Sequence, residues 1–388
     1  MARPSTIASL INFFNRQFQK YRLETEIIFW TGCALGYLCL LGHRLSLFAS
    51  VALSDPAGYP GLARASHFFF DSASREPFQI FLVKIALKLV SNDETAVRLI
   101  SLFFTEAAFV TAVMGARFLW GFWAGAGAAL ALASNRVAGF YSTTGYNMVT
   151  YSFFIVLLAV FFLQERRGRW AAPLMGLVSA LASLTRLEGL ATTTLGQVLY
   201  FWKPRPRPWR AACLALCLSW GLTAPYLIVQ KIRTGQFLGS HKPHAAFWAV
   251  REKSGQDHGA DPPSSQANAW KNLFLRRGPA DAFLQAAQGM ALGFAWYLPR
   301  LWQGAEWALA LALLGLVVLW RRGHKSFALL LAAIIAPVAF ILPLDQVTPG
   351  SGAELRFTLP LIWPTAMLTG LGFSWTIRTL AERFNMIR

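Results

Sequence analysis

The chain has 388 residues, of which 55% are hydrophobic and only 14% are charged. Soluble domains carry about 25% charged residues, so this composition excludes an ordinary water-soluble protein and predicts a chain embedded in lipid. Lysine and arginine (36) outnumber aspartate and glutamate (18), but the basic residues stand in short runs between apolar segments. That pattern indicates membrane topology and argues against nucleic-acid binding.

The predicted elements, in chain order, begin with residues 1–25, where arginines and phenylalanines indicate an amphipathic helix on the cytoplasmic membrane surface. About ten apolar segments then follow that could cross a membrane as helices. They are 26–46, 95–115, 121–138, 148–163, 171–184, 190–202, 211–230, 304–320, 326–344 and 357–375. The expected fold is therefore all-α, a polytopic transmembrane helical bundle with interfacial helices in its outer loops.

Basic runs set the orientation, because loops rich in lysine and arginine stay in the cytoplasm. The runs are at 165–169, 203–207, 321–325 and in the C-terminal tail. All of them are cytoplasmic if residues 77–90 do not cross the membrane. Lys84 and Lys88 share one face of that segment, and each lysine at mid-bilayer would cost about 3 kcal/mol. We therefore predict that 77–90 lies in the interface, and that 280–300 is an outer-face or re-entrant segment.

The chain then divides into four regions. Residues 1–25 form the cytoplasmic segment, and 26–230 form the main transmembrane module, with a first outer loop at 47–94. Residues 231–303 form a large outer loop, and 304–388 hold the last spans and a cytoplasmic tail. We predict an integral, multi-pass protein whose polar site faces the non-cytoplasmic side, because most of its carboxylates fall there.

Asp55 directly follows the first span and precedes Pro56. A carboxylate at the membrane–water boundary can act as a general base. An aspartate before proline is also a good helix N-cap. The residues alone leave both interpretations open.

Two arginines stand at the outer ends of spans. Arg186, with Glu188, interrupts a long apolar stretch, so it either lines a polar cavity or forms an ion pair that stabilises a turn. Arg356 begins the last span, where it can extend toward water or bind a phosphate. Lys242 adds positive charge on the same side, and basic groups at this depth suit an anionic lipid phosphate. Glu106 lies within a span and is expected to face the bundle.

Four local patterns, in order along the chain, resemble those of membrane-embedded glycosyltransferases of the GT-C fold, which include the protein O-mannosyltransferases and lipid A aminoarabinose transferases. The patterns are Asp55 with Tyr59 and Ala63-Arg64, Pro77-Phe78 followed by Ala96-Val97-Arg98-Leu99, LTRLEG at 184–189, and ELRFTLPLIWP at 354–364. They are spread over most of the chain.

The resemblance implies an inverting hexosyl- or pentosyltransferase that uses a polyprenyl-phosphate-linked sugar. The acceptor would be a lipid, glycan or protein at the outer face of a bacterial inner membrane. By resemblance, Asp55 is catalytic, and Arg356, Arg186 and Lys242 bind the donor phosphate. The other residues assigned in this way are the supporting acids Asp71 and Glu76 and the pocket residues Tyr59, Arg64, Arg75, Glu188 and Glu354.

The sequence departs from the family pattern at Pro56, where many members have a second acid. That departure disfavours a bound divalent cation, so we assign no metal ligands and no cofactor. The chain is also short, and we expect no bulk oligosaccharide transfer to asparagine. Two alternatives stay open: a lipid-linked sugar flippase or other transporter, and a non-catalytic GT-C-like component of an envelope-glycan assembly complex.

Overall fold

The structure, a computed structural model, describes residues 22–48, 58–71, 75–164, 170–201, 208–234, 278–339, 342 and 355–383. Within these ranges every regular element is a helix. The predicted all-α fold class is therefore confirmed. The first part of the chain and most of the second outer loop lie outside the described residues, so the predictions for 1–21 and 235–277 stay predictions.

The helices in chain order are α1 (Arg22–Phe48), α2 (Tyr59–Ala65), α3 (Pro77–Leu89), α4 (Asp93–Trp120), α5 (Phe122–Ser134), α6 (Arg136–Tyr141), α7 (Asn147–Leu163), α8 (Ala171–Thr185), α9 (Glu188–Phe201), α10 (Pro208–Thr234), α11 (Gly278–Leu292), α12 (Trp307–Arg321), α13 (Ser326–Ile335), α14 (Leu355–Thr358) and α15 (Ile362–Arg383). Helix α11 continues through a π-helical turn, Gly293–Tyr297, into Leu298–Leu301. Short 3-10 turns follow α13 and precede α15.

Each of the predicted spans coincides with a helix. Three helical segments are long and apolar enough to cross a membrane by length and composition, namely Glu24–Phe48, Asp93–Trp120 and Trp209–Arg233. Shorter apolar helices are Phe122–Ser134, Asn147–Leu163, Ala171–Thr185, Trp307–Arg321 and Ser326–Val338. The chain is an integral membrane protein.

The predicted span at 121–138 is not one continuous helix, because it breaks at Asn135. The Asn135 side chain accepts a hydrogen bond from the backbone N–H of Ala138 at 2.8 Å and so caps α6. It also donates to the carbonyl oxygen of Leu301 at 2.8 Å. Asn135 therefore ends α5 and anchors it to the segment that follows α11.

The centre of the bundle is built on close helix contacts through glycine. Helix α15 packs against α12 and α5, and its first half is almost wholly buried. A Cβ atom on Gly372 would lie 2.0 Å from the carbonyl oxygen of Leu311, and one on Gly370 would lie 2.1 Å from that of Ala124. Small residues allow membrane helices to approach this closely, because lipid supplies no hydrophobic force that would drive larger side chains together.

Helices α2 and α3 pack against each other at one end of the bundle. The ammonium group of Lys84 donates to the carbonyl oxygen of Ser66 at 2.5 Å. Ile80 and Val83 are buried, whereas Phe81 is 41% exposed. The helix thus has a face toward protein, a lysine that bonds to the preceding loop and apolar side chains left for lipid, which supports the predicted interfacial position.

Candidate functional site

A buried polar cluster joins three separate parts of the chain at the end of the bundle where α7 begins and α8 ends. We call Glu76, Asn147, Arg186 and Glu188 the Arg186 cluster. Arg186 is only 4% exposed. It donates from Nη1 to Oδ1 of Asn147 and from Nη2 to Oε1 of Glu188, both at 2.9 Å. The ion pair that was one of the two interpretations of Arg186 is therefore present, but it belongs to a larger network.

Glu76 connects this network to the first outer loop. Its Oε1 accepts from the backbone N–H of Leu187 at 3.3 Å, and its Oε2 accepts from the side-chain amide of Asn147 at 3.4 Å. The same amide donates to the carbonyl oxygen of Thr185 at 3.2 Å. Glu76 directly precedes Pro77, which begins α3, so the cluster fixes the start of that helix relative to α7 and α8.

Local backbone features expose these side chains. Helix α8 ends at Thr185 because Arg186 adopts an extended conformation, with φ −153° and ψ 130°. A Cβ atom on Gly189 would lie 2.7 Å from the carbonyl oxygen of Ala182, so the chain turns closely against α8 at that point. The turn before α7 includes Gly145, whose positive φ of 75° favours glycine. These two tight turns bring Asn147 and Arg186 together.

Arg356 lies next to the Arg186 cluster through a shared aromatic ring. Its guanidinium carbon is 5.0 Å from the ring centre of Tyr146 and 5.2 Å from that of Phe357. The guanidinium carbon of Arg186 lies 5.6 Å from the same Phe357 ring. Such distances are within the range of cation–π attraction. Two arginines predicted to act together, 170 positions apart by number (356 − 186), thus contact one ring.

Tyr59 and Arg75 connect the first outer loop to this site. Tyr59 is buried, and the guanidinium carbon of Arg75 lies 5.7 Å from its ring centre. Tyr59 is also close enough to Arg186 to interact with it electrostatically. The hydroxyl of Tyr226, on α10, donates to the carbonyl oxygen of Arg75 at 3.3 Å.

Two residues predicted for the site have their partners elsewhere. Arg64 is exposed and donates to Asp93 at 2.8 Å. Asp71 forms an ion pair with Arg233 and accepts from the backbone N–H of His67 at 3.1 Å. The hydrogen bond from His67 and the pairing with Arg233 hold the pKa of Asp71 below its ordinary value. A carboxylate with a lowered pKa is a weaker base, which argues against Asp71 as a supporting base.

Three predicted residues, Asp55, Lys242 and Glu354, lie outside the described residues. Three other residues belong to the site although the sequence reasoning did not select them: Tyr146, Asn147 and Phe357. The polar run at 142–147, between two apolar segments, was a signal for Asn147. Among the described residues no group of three or more His, Cys, Asp or Glu side chains could hold a metal ion.

Comparison with solved structures shows the fold class. ArnT from Cupriavidus metallidurans in the apo state is 17% identical, with a TM-score of 0.52 over 92% of this chain and 62% of ArnT. The same protein bound to undecaprenyl phosphate is 16% identical, with a TM-score of 0.50 over 93% of this chain and 63% of that one. The Archaeoglobus fulgidus oligosaccharyltransferase in complex with Zn and sulfate is 14% identical, with a TM-score of 0.54 over 91% and 50%.

The chain has a GT-C-like fold, as the sequence patterns predicted. It spans less than two thirds of the length of ArnT and half that of the oligosaccharyltransferase. The sequence matches no family model and no curated protein sequence. At these identities the likeness concerns the fold, and function has to be argued from the site itself.

Proposed function

We propose that the protein is an inverting glycosyltransferase that moves a sugar from a polyprenyl-phosphate carrier to an acceptor at the non-cytoplasmic face of a bacterial inner membrane. The observation that carries this proposal is the pair of guanidinium groups, Arg186 and Arg356, that contact the ring of Phe357. They lie at the end of the bundle that the basic runs assign to the outer side. That one GT-C neighbour was solved with undecaprenyl phosphate supports a lipid phosphate as the ligand.

Arg356 is the better candidate to contact the phosphate. Arg186 already donates to Asn147 and to the carboxylate of Glu188, so most of its charge is compensated. Arg356 is held by the faces of Tyr146 and Phe357, and stacking of this kind leaves the edge of a guanidinium group free to donate to a phosphate. We assign Arg356 as the first phosphate ligand, with Arg186 supporting it and Lys242 adding charge from the second outer loop.

The reaction balances with these groups. The hydroxyl oxygen of the acceptor attacks the anomeric carbon from the face opposite the phosphate, and Asp55 takes the hydroxyl proton. The bond between the anomeric carbon and the phosphate oxygen breaks, and its electron pair leaves with the polyprenyl phosphate. Arg356 and Arg186 stabilise the negative charge that develops there. Attack from the opposite face inverts the anomeric configuration.

The position of Tyr59 supports the role of Asp55. Tyr59 begins α2 four residues after Asp55, and it is buried within electrostatic reach of Arg186. Four residues extend over at most about 14 Å. A carboxylate at position 55 therefore has the reach to face a sugar whose phosphate is bound by Arg356.

The proposal is tested with the purified chain, reconstituted into vesicles with a labelled polyprenyl-phosphate sugar and no other protein. We expect the sugar to be transferred, or slowly released to water, with inversion. Arg356→Gln should lower the rate by roughly 100-fold to 1,000-fold, as loss of one charge-stabilising donor does. Arg300→Gln is the matched control, because Arg300 also stacks on an aromatic ring, that of Trp296, and its rate should stay unchanged.

Two outcomes would contradict the proposal. If the vesicles move the intact sugar-lipid between leaflets without cleaving it, the protein is a transporter. If no cleavage occurs until a partner protein is added, and Arg356→Gln leaves that activity unchanged, the protein is a non-catalytic component. Either result would leave the GT-C-like fold standing and remove the assigned chemistry.

A further inference from the structure

A second recess lies at the far end of the bundle from the Arg186 cluster. Helix α4 begins near the cluster, where Arg98 donates to the carbonyl oxygen of Thr143 at 2.6 Å, and ends at Trp120. Its 28 residues correspond to a length of about 40 Å. The recess is about 220 Å³ in volume. It lies where α4 and α12 end, beside the second half of α15, and it is lined by Trp120, Arg322, Trp375 and Arg378 over a floor that includes Leu119 and Leu371.

One of the two arginines is fixed by the backbone. Nη2 of Arg378 donates to the carbonyl oxygen of Trp120 at 3.3 Å. The chain turns sharply just after Trp120, at Gly121, whose φ is 96°. A Cβ atom at that position would lie 3.6 Å from Nη2 of Arg378, so glycine both permits the turn and leaves room for the guanidinium group.

The recess carries positive charge that its own lining does not balance. Among the residues that the structure describes, none that lines the recess bears a carboxylate. Arg117, one turn earlier on α4, is in a different situation because it is paired with Glu26. Arg322 and Arg378 therefore present two cations on the same concave surface, which suits a phosphate group.

The aromatic residues at this end indicate headgroup depth. Trp120 and Trp375 line the recess, and the rings of Phe29, Trp30 and Phe122 contact one another on neighbouring helices. Tryptophan is enriched at the boundary between acyl chains and headgroups. The basic runs assign this end to the cytoplasm, where basic recesses between helices bind anionic lipids.

We propose that this recess binds the phosphate headgroup of an anionic phospholipid from the cytoplasmic leaflet. Arg322 and Arg378 contact the phosphate, and the leucine and tryptophan side chains receive the adjoining glycerol and first acyl carbons. A lipid is favoured over a dissolved anion because half of the lining is apolar and contributes only to a ligand with an apolar part. The site is independent of the proposed sugar transfer, since it lies at the other end of the bundle.

The test compares lipid retention by the delipidated, full-length protein after exchange into vesicles of phosphatidylglycerol or phosphatidylcholine, read by native mass spectrometry. We expect a tightly held phosphatidylglycerol and no corresponding phosphatidylcholine. The double variant R322A/R378A should bind phosphatidylglycerol about 25-fold more weakly, from a loss of about fivefold for each arginine. The control is R321A/R383A, which removes two exposed arginines that do not line the recess and should retain the lipid.

Equal weakening in both double variants would overturn the proposal, because it would indicate diffuse surface charge. Displacement of the lipid by inorganic phosphate as effective as displacement by short-chain phosphatidylglycerol would also overturn it, in favour of a dissolved anion. The wild-type preference for phosphatidylglycerol needs no variant, so it decides the matter even if R322A/R378A fails to fold. Absence of that preference contradicts the site.

Discussion

At the scale of single residues, a guanidinium group buried at position 186 needs a compensating negative charge. Glu188 and Glu76 supply it, and Asn147 fills a further hydrogen bond. Removing one partner from a buried pair leaves a charge in a medium that solvates it poorly, which costs far more than the pair itself contributes.

Arg186→Gln is therefore expected to destabilise the protein by about 3–5 kcal/mol, because it leaves the buried carboxylates of Glu76 and Glu188 uncompensated. The measurement is thermal unfolding of the purified protein in detergent. Arg64→Gln is the control, since the exposed pair of Arg64 with Asp93 should contribute at most about 1 kcal/mol. Equal unfolding temperatures for the two variants would contradict the network described for Arg186.

The sequence predicted the charged members of the site better than the neutral ones. Arg186 and Arg356 were identified because arginine is rare in apolar stretches and therefore informative by itself. Phe357 and Asn147 could not be identified in the same way. Phenylalanine is common in membrane spans, and the role of Asn147 depends on contacts with Glu76 and Arg186, which are distant in the chain.

At the scale of helices, apolar length predicted where the spans are but not how they join. The break between α5 and α6 depends on a hydrogen bond from Asn135 to Leu301, 166 residues away, which no local pattern contains. The close contacts of α15 with α12 and α5 are tertiary features of the same kind. They concentrate the stability of the bundle at a few glycines.

Gly372→Ala should show this dependence. The added Cβ would lie 2.0 Å from the carbonyl oxygen of Leu311, and backbone cannot move aside as a flexible side chain can. We expect a loss of roughly 1–3 kcal/mol in stability, as for other overpacked positions. The matched variant is Gly221→Ala on α10, where no described atom lies within 4 Å of the added Cβ and where alanine favours the helix.

Thermal unfolding of both glycine variants, side by side with the wild type, checks this prediction. Gly221→Ala should unfold at the wild-type temperature or slightly above it, and Gly372→Ala several degrees below. If Gly372→Ala is as stable as the wild type, the contact between α15 and α12 is looser than described.

At the scale of the whole molecule, the two ends of the bundle carry different chemistry. The Arg186 cluster with Arg356 occupies one end, and the recess with Arg322 and Arg378 occupies the other. This polarity follows from the orientation that the basic runs and the lysines of α3 predict. The same orientation assigns the first outer loop to the non-cytoplasmic side.

Cysteine labelling tests that orientation. In a chain whose Cys33, Cys39, Cys213 and Cys217 are replaced by alanine, Lys88→Cys should react with a membrane-impermeant maleimide added to intact spheroplasts. Arg321→Cys should react only after the membrane is permeabilised. The reverse pattern, or protection of position 88 under both conditions, would show that α3 does not lie in the outer interface.

The most direct test of the central claim is the rate of sugar transfer by Asp55→Asn from a labelled polyprenyl-phosphate donor. The amide cannot take the acceptor proton, so we predict a loss of roughly 100-fold to 10,000-fold, with membrane insertion and unfolding temperature unchanged. Asp281→Asn, an exposed aspartate at the start of α11, is the control and should transfer at the wild-type rate. Normal turnover by Asp55→Asn would contradict the mechanism.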